Sequence, residues 1–371
     1  MSFEWGRRFR LPTPYVSRER AAEALLVWNA LIWGATFVVV KSALAGISPL
    51  YFLALRFSLA TVALLVIFRG VGKTAAPLKD TPGKKSRDES RLSRLDSPRH
   101  DSTGSDRAGE TTAPCGHGSD RFKTTAPSGR GSDRAAGARD WKSVGAGVLV
   151  GSLLFTGYLT QTLGLRLTSA PKSAFITGLC SVLVPVLAAV VYRIRPQAVE
   201  VAGVLVATVG MGLMTLHGSI GAISRGDLLT LACAFAFAAH IVTLGHYSGS
   251  VSFELLSVTQ IATSAVWSWG LLWWIEKPRV EWRPSVVCAI LVTGLLATAL
   301  AFTIQAWAQR YTTSTRTALI YMLEPVTAWL TSYFLTGEGL SGRAAAGAGL
   351  ILGGVVLVEV KPWTSRPHPL S

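Results

Sequence analysis

Cysteine is scarce in this sequence, with four among 371 residues. Cys180, Cys233 and Cys288 fall in separate apolar runs and Cys115 in a polar stretch, so neither a disulfide framework nor a metal-ligand spacing can be read. A Walker-type phosphate loop, a His-Glu-x-x-His pair and a Gly-x-Ser-x-Gly elbow are missing as well, which argues against ATP-driven transport and hydrolase chemistry within the chain. No metal, cofactor or catalytic set is expected, and the chain is not expected to be an enzyme. Acidic residues are few, 21 against 36 Lys and Arg, giving a formal charge of +15. That balance could suggest nucleic acid, but its location argues otherwise. Arg7, Arg8, Arg10, Arg18 and Arg20 precede the first apolar run, and many more basic residues lie in a polar stretch after the second.

What is abundant is apolar surface. Half of the residues are hydrophobic and the mean hydropathy is +0.39, although some seventy consecutive residues are almost wholly polar. The remainder is therefore of membrane composition. A bilayer core about 30 Å thick needs roughly 20 apolar residues at 1.5 Å each. Ten such runs are expected: Ala22 to Val40, Pro49 to Phe68, Val144 to Leu165, Ala174 to Tyr192, Ala198 to Leu216, Asp227 to Tyr247, Phe253 to Ile275, Pro284 to Ala308, Ala318 to Leu335 and Ala344 to Val360. They are continuous rather than alternating. Because lipid satisfies no backbone polar group, continuous runs must be helices.

Basic residues gather in alternate loops. With the N-terminus inside, the cytoplasmic set holds the basic arm 1–21, the insertion 70–141, Arg193 with Arg195, Arg310, and the tail 361–371 with Lys361 and Arg366. Lys277, Arg279 and Arg283 count against the rule. Both termini are predicted cytoplasmic, in a multi-pass protein of the cytoplasmic membrane. Ala43-Leu44-Ala45 resembles a signal-peptidase site, but the run before it is about 19 residues long, whereas a signal h-region spans roughly 7 to 15.

Laid on itself, the chain repeats. At a shift of 204, Trp33-Gly34-Ala35-Thr36 falls on Phe237-Ala238-Ala239-His240, Ser48 on Ser252 and Arg56 on Gln260. At 144, Gln161 falls on Gln305, Arg166 on Arg310, Thr168 on Thr312, Lys172 on Arg316 and Ala174 on Ala318. At 140, Pro185-Val186-Leu187-Ala188 meets Pro325-Val326-Thr327-Ala328. The expected organisation is a first five-helix repeat over 22–216, carrying the insertion, and a second over 226–360. Five is odd, so the second copy must enter the membrane inverted relative to the first. That is the plan of many secondary transporters, with a site near the midplane between repeats.

Leu31-Ile32-Trp33-Gly34-Ala35-Thr36-Phe37, Ala54-Leu55-Arg56-Phe57, the run from Leu167 to Leu179, Gly226-Asp227-Leu228-Leu229 and Leu323-Glu324-Pro325-Val326 resemble EamA-type proteins of the drug/metabolite transporter superfamily. The resemblance covers all but the N-terminal arm and the insertion. It implies an all-α fold of ten transmembrane helices as two inverted five-helix repeats, and a central cavity lined by both. It further implies alternating-access movement, often export, of amino acids, other metabolites or drugs. The long insertion departs from the family's usual short second loop.

Few ionisable groups lie inside the runs, and such groups are functional candidates because each costs roughly 2.5 to 3.5 kcal/mol at a helix centre. Glu324 falls near the midplane of the ninth run, beside Pro325, which frees the carbonyl of Tyr321. Pro185 likewise frees that of Ser181. Paired helix interruptions in two halves point to a transporter's site, so the fourth and ninth helices are expected to line it. Glu324 would meet a substrate amine or a coupling proton, or else anchor two helices by a hydrogen bond. His240, near the middle of the sixth run, could bond substrate or shuttle a proton, or satisfy a neighbouring helix. Arg56 is a candidate charge partner for an anionic group or for Glu324, with snorkelling as the alternative.

Gln161 and Gln305 would mark the two sides of the cavity, or bridge helices. Asn29 and Trp33 share a helix face at i, i+4. With Tyr158 and Tyr321, Trp33 would form aromatic walls for an amphipathic or zwitterionic ligand. Gly147-x-x-x-Gly151 and Gly349-x-x-x-Gly353 permit close helix packing, and Trp267, Trp269, Trp273 and Trp274 form an interfacial belt.

The expected partners are a small-molecule substrate and the lipid bilayer, with a homodimer admissible and nucleic acid not expected. A secondary carrier fits best. A membrane enzyme or lipid-handling protein using the same cavity, and a sensor or scaffold acting through the insertion, remain alternatives. The insertion repeats Gly-Ser-Asp-Arg at Gly104, Gly118 and Gly131, and from Arg69 to Lys142 it holds 16 basic and 10 acidic residues. So polar and mixed a segment cannot bury enough apolar surface to offset its ordering entropy. Deleting Lys79 to Arg139 is expected to leave membrane abundance and activity intact, as measured on the same membranes. Loss of activity at normal abundance would move the function into the insertion.

Overall fold

The ten apolar runs become ten helical rods in the computed structural model, which describes residues 14–71, 130–165, 167–168, 170–216, 224–336 and 341–360. Residues 1–13 of the basic arm, the tail and most of the insertion lie outside the described residues. Residues 70–136 form a unit distinct from the bundle of 1–69 and 137–371. The rods are α1 Pro14–Ala43, α2 Pro49–Val71, α3 Arg130–Leu165, α4a Ala170–Gly178 with α4b Cys180–Val191, and α5 Ala198–Thr215. They continue as α6 Arg225–Ser248, α7 Phe253–Ile275, α8 Pro284–Gly294 running through a π-turn into Ala301–Ala308, α9a Ser314–Tyr321 with α9b Glu324–Thr336, and α10 Gly342–Val360. Among the described residues there is no strand, only an isolated antiparallel bridge between Ile47 and Val280.

Local chemistry sets the helix starts. Ser224 accepts from Asp227 N at 3.1 Å while Ser224 N donates to Asp227 Oδ2 at 2.7 Å, a reciprocal cap for α6. Thr313 caps α9a through Arg316 N at 3.1 Å. Pro284 opens α8, where its missing N–H costs nothing. The helices overrun the expected spans because polar residues continue the hydrogen-bonding pattern past the apolar core. α1 begins at Pro14 rather than Ala22, and α3 at Arg130 rather than Val144.

Among the described residues, seven rods are long and apolar enough to cross a membrane, over Pro49–Arg69, Trp141–Gly164, Ser173–Val191, Ala198–Thr215, Arg225–Ser248, Phe253–Ile275 and Pro284–Ala308. The apolar stretch Gly342–Val358 is shorter, and α9 is divided at Met322–Leu323 into pieces of 8 and 13 residues. Large apolar side chains cover the outside, with Val66, Val190 and Trp273 each about two-thirds or more exposed. Water would not tolerate so much contiguous apolar surface, whereas lipid tails do.

Two loops meet at one end of the bundle. Ser48 N donates to Arg279 O at 2.9 Å and Glu281 N to Gly46 O at 2.7 Å, which joins the α1–α2 loop to the α7–α8 loop. The helix starts Glu19, Glu200 and Arg316 come together at the opposite end. Between the ends, α1 packs on α8 and α9, α6 on α4, and α5 on α10. α3 lies against α6 and α7, and α2 against α8.

The α5–α10 seam depends on glycine. A Cβ on Gly210 would stand 2.5 Å from Gly347 O, and one on Gly203 2.8 Å from Gly354 O. The glycines of α3 behave as expected, since Gly147 and Gly151 abut Thr259 and Gln260 of α7. Those expected on α10 do not: Gly349 and Gly353 meet nothing within 4 Å. The packing pair is Gly347 and Gly354, because the helical turn carries the intervening spacing to the outer face. Gly210→Ala is therefore expected to destabilise the protein by about 1–3 kcal/mol through overpacking, read as a lowered thermal midpoint in detergent. Gly349→Ala should leave that midpoint unchanged.

Candidate functional site

A cavity of about 580 Å³ occupies the centre of the bundle, within the 300–1,000 Å³ range of small-molecule pockets. Every rod except α7 and α10 contributes side chains to its described lining. It reaches the loop end at Leu44, Ile47, Ser48 and Arg279. Toward the opposite end its deepest lining residues are Ile241, Gln305 and Ala318.

Three irregularities in the helices converge on this space. α4 breaks at Leu179, whose N–H is shared between Phe175 O and Ile176 O, both at 3.2 Å. α9 breaks at Met322–Leu323. The two breaks match at the repeat shift of 144, whereas the prolines match at 140. The first copy thus holds about one additional helical turn between break and proline, which accounts for the change of register. Pro325 falls in the first turn of α9b, where a missing donor is harmless, and it lines the cavity. Pro185 sits in the middle of α4b and faces a separate apolar groove between α4b and α5. The expectation that Pro185 marks the site is thus replaced by Leu179, six residues earlier and next to the lining residues Gly178 and Cys180.

The third irregularity is the π-turn Leu295–Leu300 of α8, a wide turn of the kind often found at functional sites. Its polar groups are answered across the cavity. Trp33 Nε1 donates to Ala297 O at 2.8 Å, and Arg56 Nε and Nη2 donate to Thr298 Oγ1 at 3.0 and 2.7 Å. Just past it, Asn29 Nδ2 donates to Ala301 O at 2.7 Å and to the Tyr321 hydroxyl at 3.5 Å. Asn29 is fully buried and stands behind the wall as a bridge between α1, α8 and α9 rather than in the lining.

Aromatic rings build the walls. Trp33 packs against Tyr321 and Phe302 with centroids 4.8 and 5.4 Å apart. Tyr158 meets Phe57 and Phe237 edge-on at 5.6 and 5.3 Å. The Arg56 guanidinium lies 5.0 Å from the Tyr158 centroid, in a cation–π contact. His240 Nε2 is 3.0 Å from Gln260 Oε1, and Gln260 is the repeat counterpart of Arg56. Gln305 is buried, with its Nε2 3.4 Å from Gln309 Oε1. Gln161 lines the cavity and makes no hydrogen bond to a described residue.

Glu324 is the first residue of α9b and lines the cavity. Among the described residues its carboxylate has neither hydrogen bond nor ion pair, so Arg56 does not neutralise it. A close approach holds it in place: a Cβ on Gly34 would lie 2.7 Å from Glu324 O and 2.6 Å from Thr327 Cβ. Only glycine admits α9b this near to α1.

Of the sequence candidates, Trp33, Tyr158, Gln161, His240, Gln305, Tyr321, Glu324, Pro325 and Arg56 share this one cavity. Sequence reasoning passed over Thr298, Phe237, Phe302, Thr177 and Ser181. The available signal was the small, polar-interrupted Ala297-Thr298-Ala299 inside an apolar helix. Thr298→Val would strand the Arg56 donors in an apolar wall, at a cost of about 1–3 kcal/mol. A lowered thermal midpoint in detergent is the expected reading, whereas Gln161→Ala should leave it unchanged.

Known proteins place this architecture. A crystal structure of another protein matches with a TM-score of 0.64 at 17% identity, over 91% of this chain and 96% of that one, and so shares the fold. An uncharacterised transporter of Archaeoglobus fulgidus is 28% identical over 347 residues, covering 92% of this chain and 86% of the relative. The model of the EamA-like transporter family matches residues 20–83 and 224–360, which include most of α1 and the whole of α2 and α6–α10. With those matches falling on the helices that carry Trp33, Arg56, His240 and Glu324, this multi-pass membrane protein belongs to the EamA-like transporter family.

Proposed function

We propose that this chain is a secondary carrier that exports a small metabolite across the cytoplasmic membrane by alternating access. It is not an enzyme on this reading, and both termini are cytoplasmic. The carrying observation is a carboxylate, Glu324, facing the central cavity without a described partner, in the same aromatic-walled space as the Arg56 guanidinium. A charge left bare in lipid is expensive. It is tolerable where water, a proton or a ligand cation visits it. An amphipathic zwitterion suits this lining: its amine would meet Glu324, its anionic group would meet Arg56, and its apolar body would rest on Trp33, Tyr158 and Tyr321. Amino acids, related metabolites and drug-like amines fall in that class.

Alternating access needs two states related by exchange of the repeats. The helix pairings support that reading. The contact of α1 with α9 corresponds to that of α6 with α4, and α2 with α8 to α7 with α3, while α5 packs on its own counterpart α10. This is the pattern that a pseudo-twofold relating 22–216 to 226–360 would give. The basic residues of the arm, of the α4–α5 loop and of the tail support an inside location for the ends.

The test is purified protein in proteoliposomes, screened against an amino-acid and drug panel with and without a proton gradient. Saturable flux accelerated by the gradient is expected for at least one zwitterionic or cationic amphipath. Glu324→Gln should cut gradient-driven flux about tenfold or more, equivalent to one charge-assisted hydrogen bond of about 1.5–3 kcal/mol. A flat panel with folded protein would remove the carrier reading. Full gradient-driven flux in Glu324→Gln would remove that residue as the coupling group.

A further inference from the structure

Four charged side chains are buried together at the end of the bundle opposite the α1–α2 loop. Arg316 of α9a donates from Nη1 to Glu23 Oε1 at 2.8 Å and from Nε to Glu200 Oε1 at 3.3 Å, and its Nη1 lies 3.5 Å from Glu19 Oε1. None of the four side chains is more than 10% exposed. Thr312 and Thr313 donate to the same carboxylates, Thr312 Oγ1 to Glu23 at 3.4 Å and Thr313 Oγ1 to Glu200 at 3.0 Å. One guanidinium thereby ties α1 and α5 of the first repeat to α9 of the second. The cavity stops short of this layer, its deepest lining residues being Ile241, Gln305 and Ala318.

Such a hub is a poor choice for stability alone. Apolar residues of equal volume are often as stabilising as a buried ion cluster, because desolvation cancels most of the attraction. It is a good choice for a seal that must open. Parting an apolar seal exposes it to water at full hydrophobic cost. Parting a charged one exchanges ion pairs for hydration at near balance, so a substrate's differential affinity can tip the equilibrium.

The repeat register supplies the second observation. Arg316 and Thr312 are the counterparts of Lys172 and Thr168 at a shift of 144, and Glu23 is the counterpart of Asp227 at 204. Thr312 donates to Glu23, and at the loop end Thr168 Oγ1 donates to Asp227 Oδ1 at 2.6 Å. The same hydroxyl-to-carboxylate bond thus recurs between counterpart residues at the two ends of the cavity. We infer that Arg316 with Glu19, Glu23 and Glu200 is the latch that closes the cavity at the arm end, and that the Thr168–Asp227 pair belongs to its counterpart at the loop end. The inference rests on the alternating-access reading, in which one latch opens while the other is closed. These are positioning residues: they select the side from which the cavity is reached and need not touch the substrate.

Cys180, which lines the cavity, is a native reporter. With Cys115, Cys233 and Cys288 replaced by alanine, sealed vesicles of each orientation are treated with a membrane-impermeant thiol reagent. Arg316→Gln is expected to raise the ratio of arm-side to loop-side labelling about tenfold or more, the factor a single lost charge-assisted bond supplies. Arg316→Lys should restore most of the parent ratio, and Asp227→Asn should move it the other way. Because Arg316→Gln strands three carboxylates and can fail to fold, Glu23→Gln and Thr312→Val are run beside it, with the same sign of shift expected. Folded variants that keep the parent ratio, while the parent labels from both sides, would overturn the latch and leave the carrier reading standing. A parent that labels from one side only, with or without a proton gradient, would instead overturn alternating access and the latch with it.

Discussion

The constraint on which this structure depends is that lipid offers no hydrogen bond. Every backbone group released by a break in a spanning helix must be answered from within the protein or by water in a cavity. The breaks at Leu179 and at Met322–Leu323 and the π-turn at Leu295–Leu300 could not face the bilayer. They border one cavity instead. Trp33, Arg56 and Asn29 then reach across to the carbonyls and hydroxyl of α8. The central space is therefore the place where three interrupted helices come together and where the groups of α8 find partners on α1 and α2.

That origin explains why the cavity walls mix apolar rings with a few fixed polar groups. Trp33 presents its ring to Tyr321 and Phe302 while its indole N–H is occupied by Ala297 O, so the ring is held in one orientation. Arg56 is fixed similarly by Thr298 and by the Tyr158 ring. Glu324 differs, held by its backbone through the Gly34 contact while its carboxylate has no partner among the described residues. A rigid frame thus surrounds a carboxylate that no described side chain answers.

Much of this was legible in the sequence because membrane helices announce themselves by length and apolarity, and because residues such as Gln161 and Pro185 find matches at fixed shifts along the chain. Glu324, His240, Arg56 and the aromatic walls stood out as polar or bulky residues in apolar runs. Pro185 misled. A proline removes a donor wherever it stands, but α4b carries Pro185 in mid-helix and breaks at Leu179, where tertiary contact rather than residue type decides. Asn29 was correctly placed on the face of Trp33 by i, i+4 spacing, yet one turn more of depth put it behind the wall. The π-turn has no strong sequence signature, and the one trace of it, a lone Thr298 between Ala297 and Ala299, is weak beside the apolar residues around it. The Arg316 hub was missed for another reason. Glu19, Glu23, Glu200 and Arg316 lie near helix starts, where charge normally meets water, and only their convergence from three helices buries them.

Convergence at the ends also bears on how a single cavity can serve two sides. The aromatic walls are packed as a core is packed, and cores resist continuous deformation. Movement must therefore be confined to surfaces that can part cheaply. The α5–α10 seam cannot be one of them, since backbone carbonyls there already stand within a methyl's reach of the facing glycines. The arm end is the better candidate, because charge and hydroxyl bonding contribute to holding it, and water can replace those bonds. On the carrier reading proposed above, a bundle with a rigid glycine seam and stiff aromatic walls would be limited to rocking about its middle, with the change concentrated at its ends.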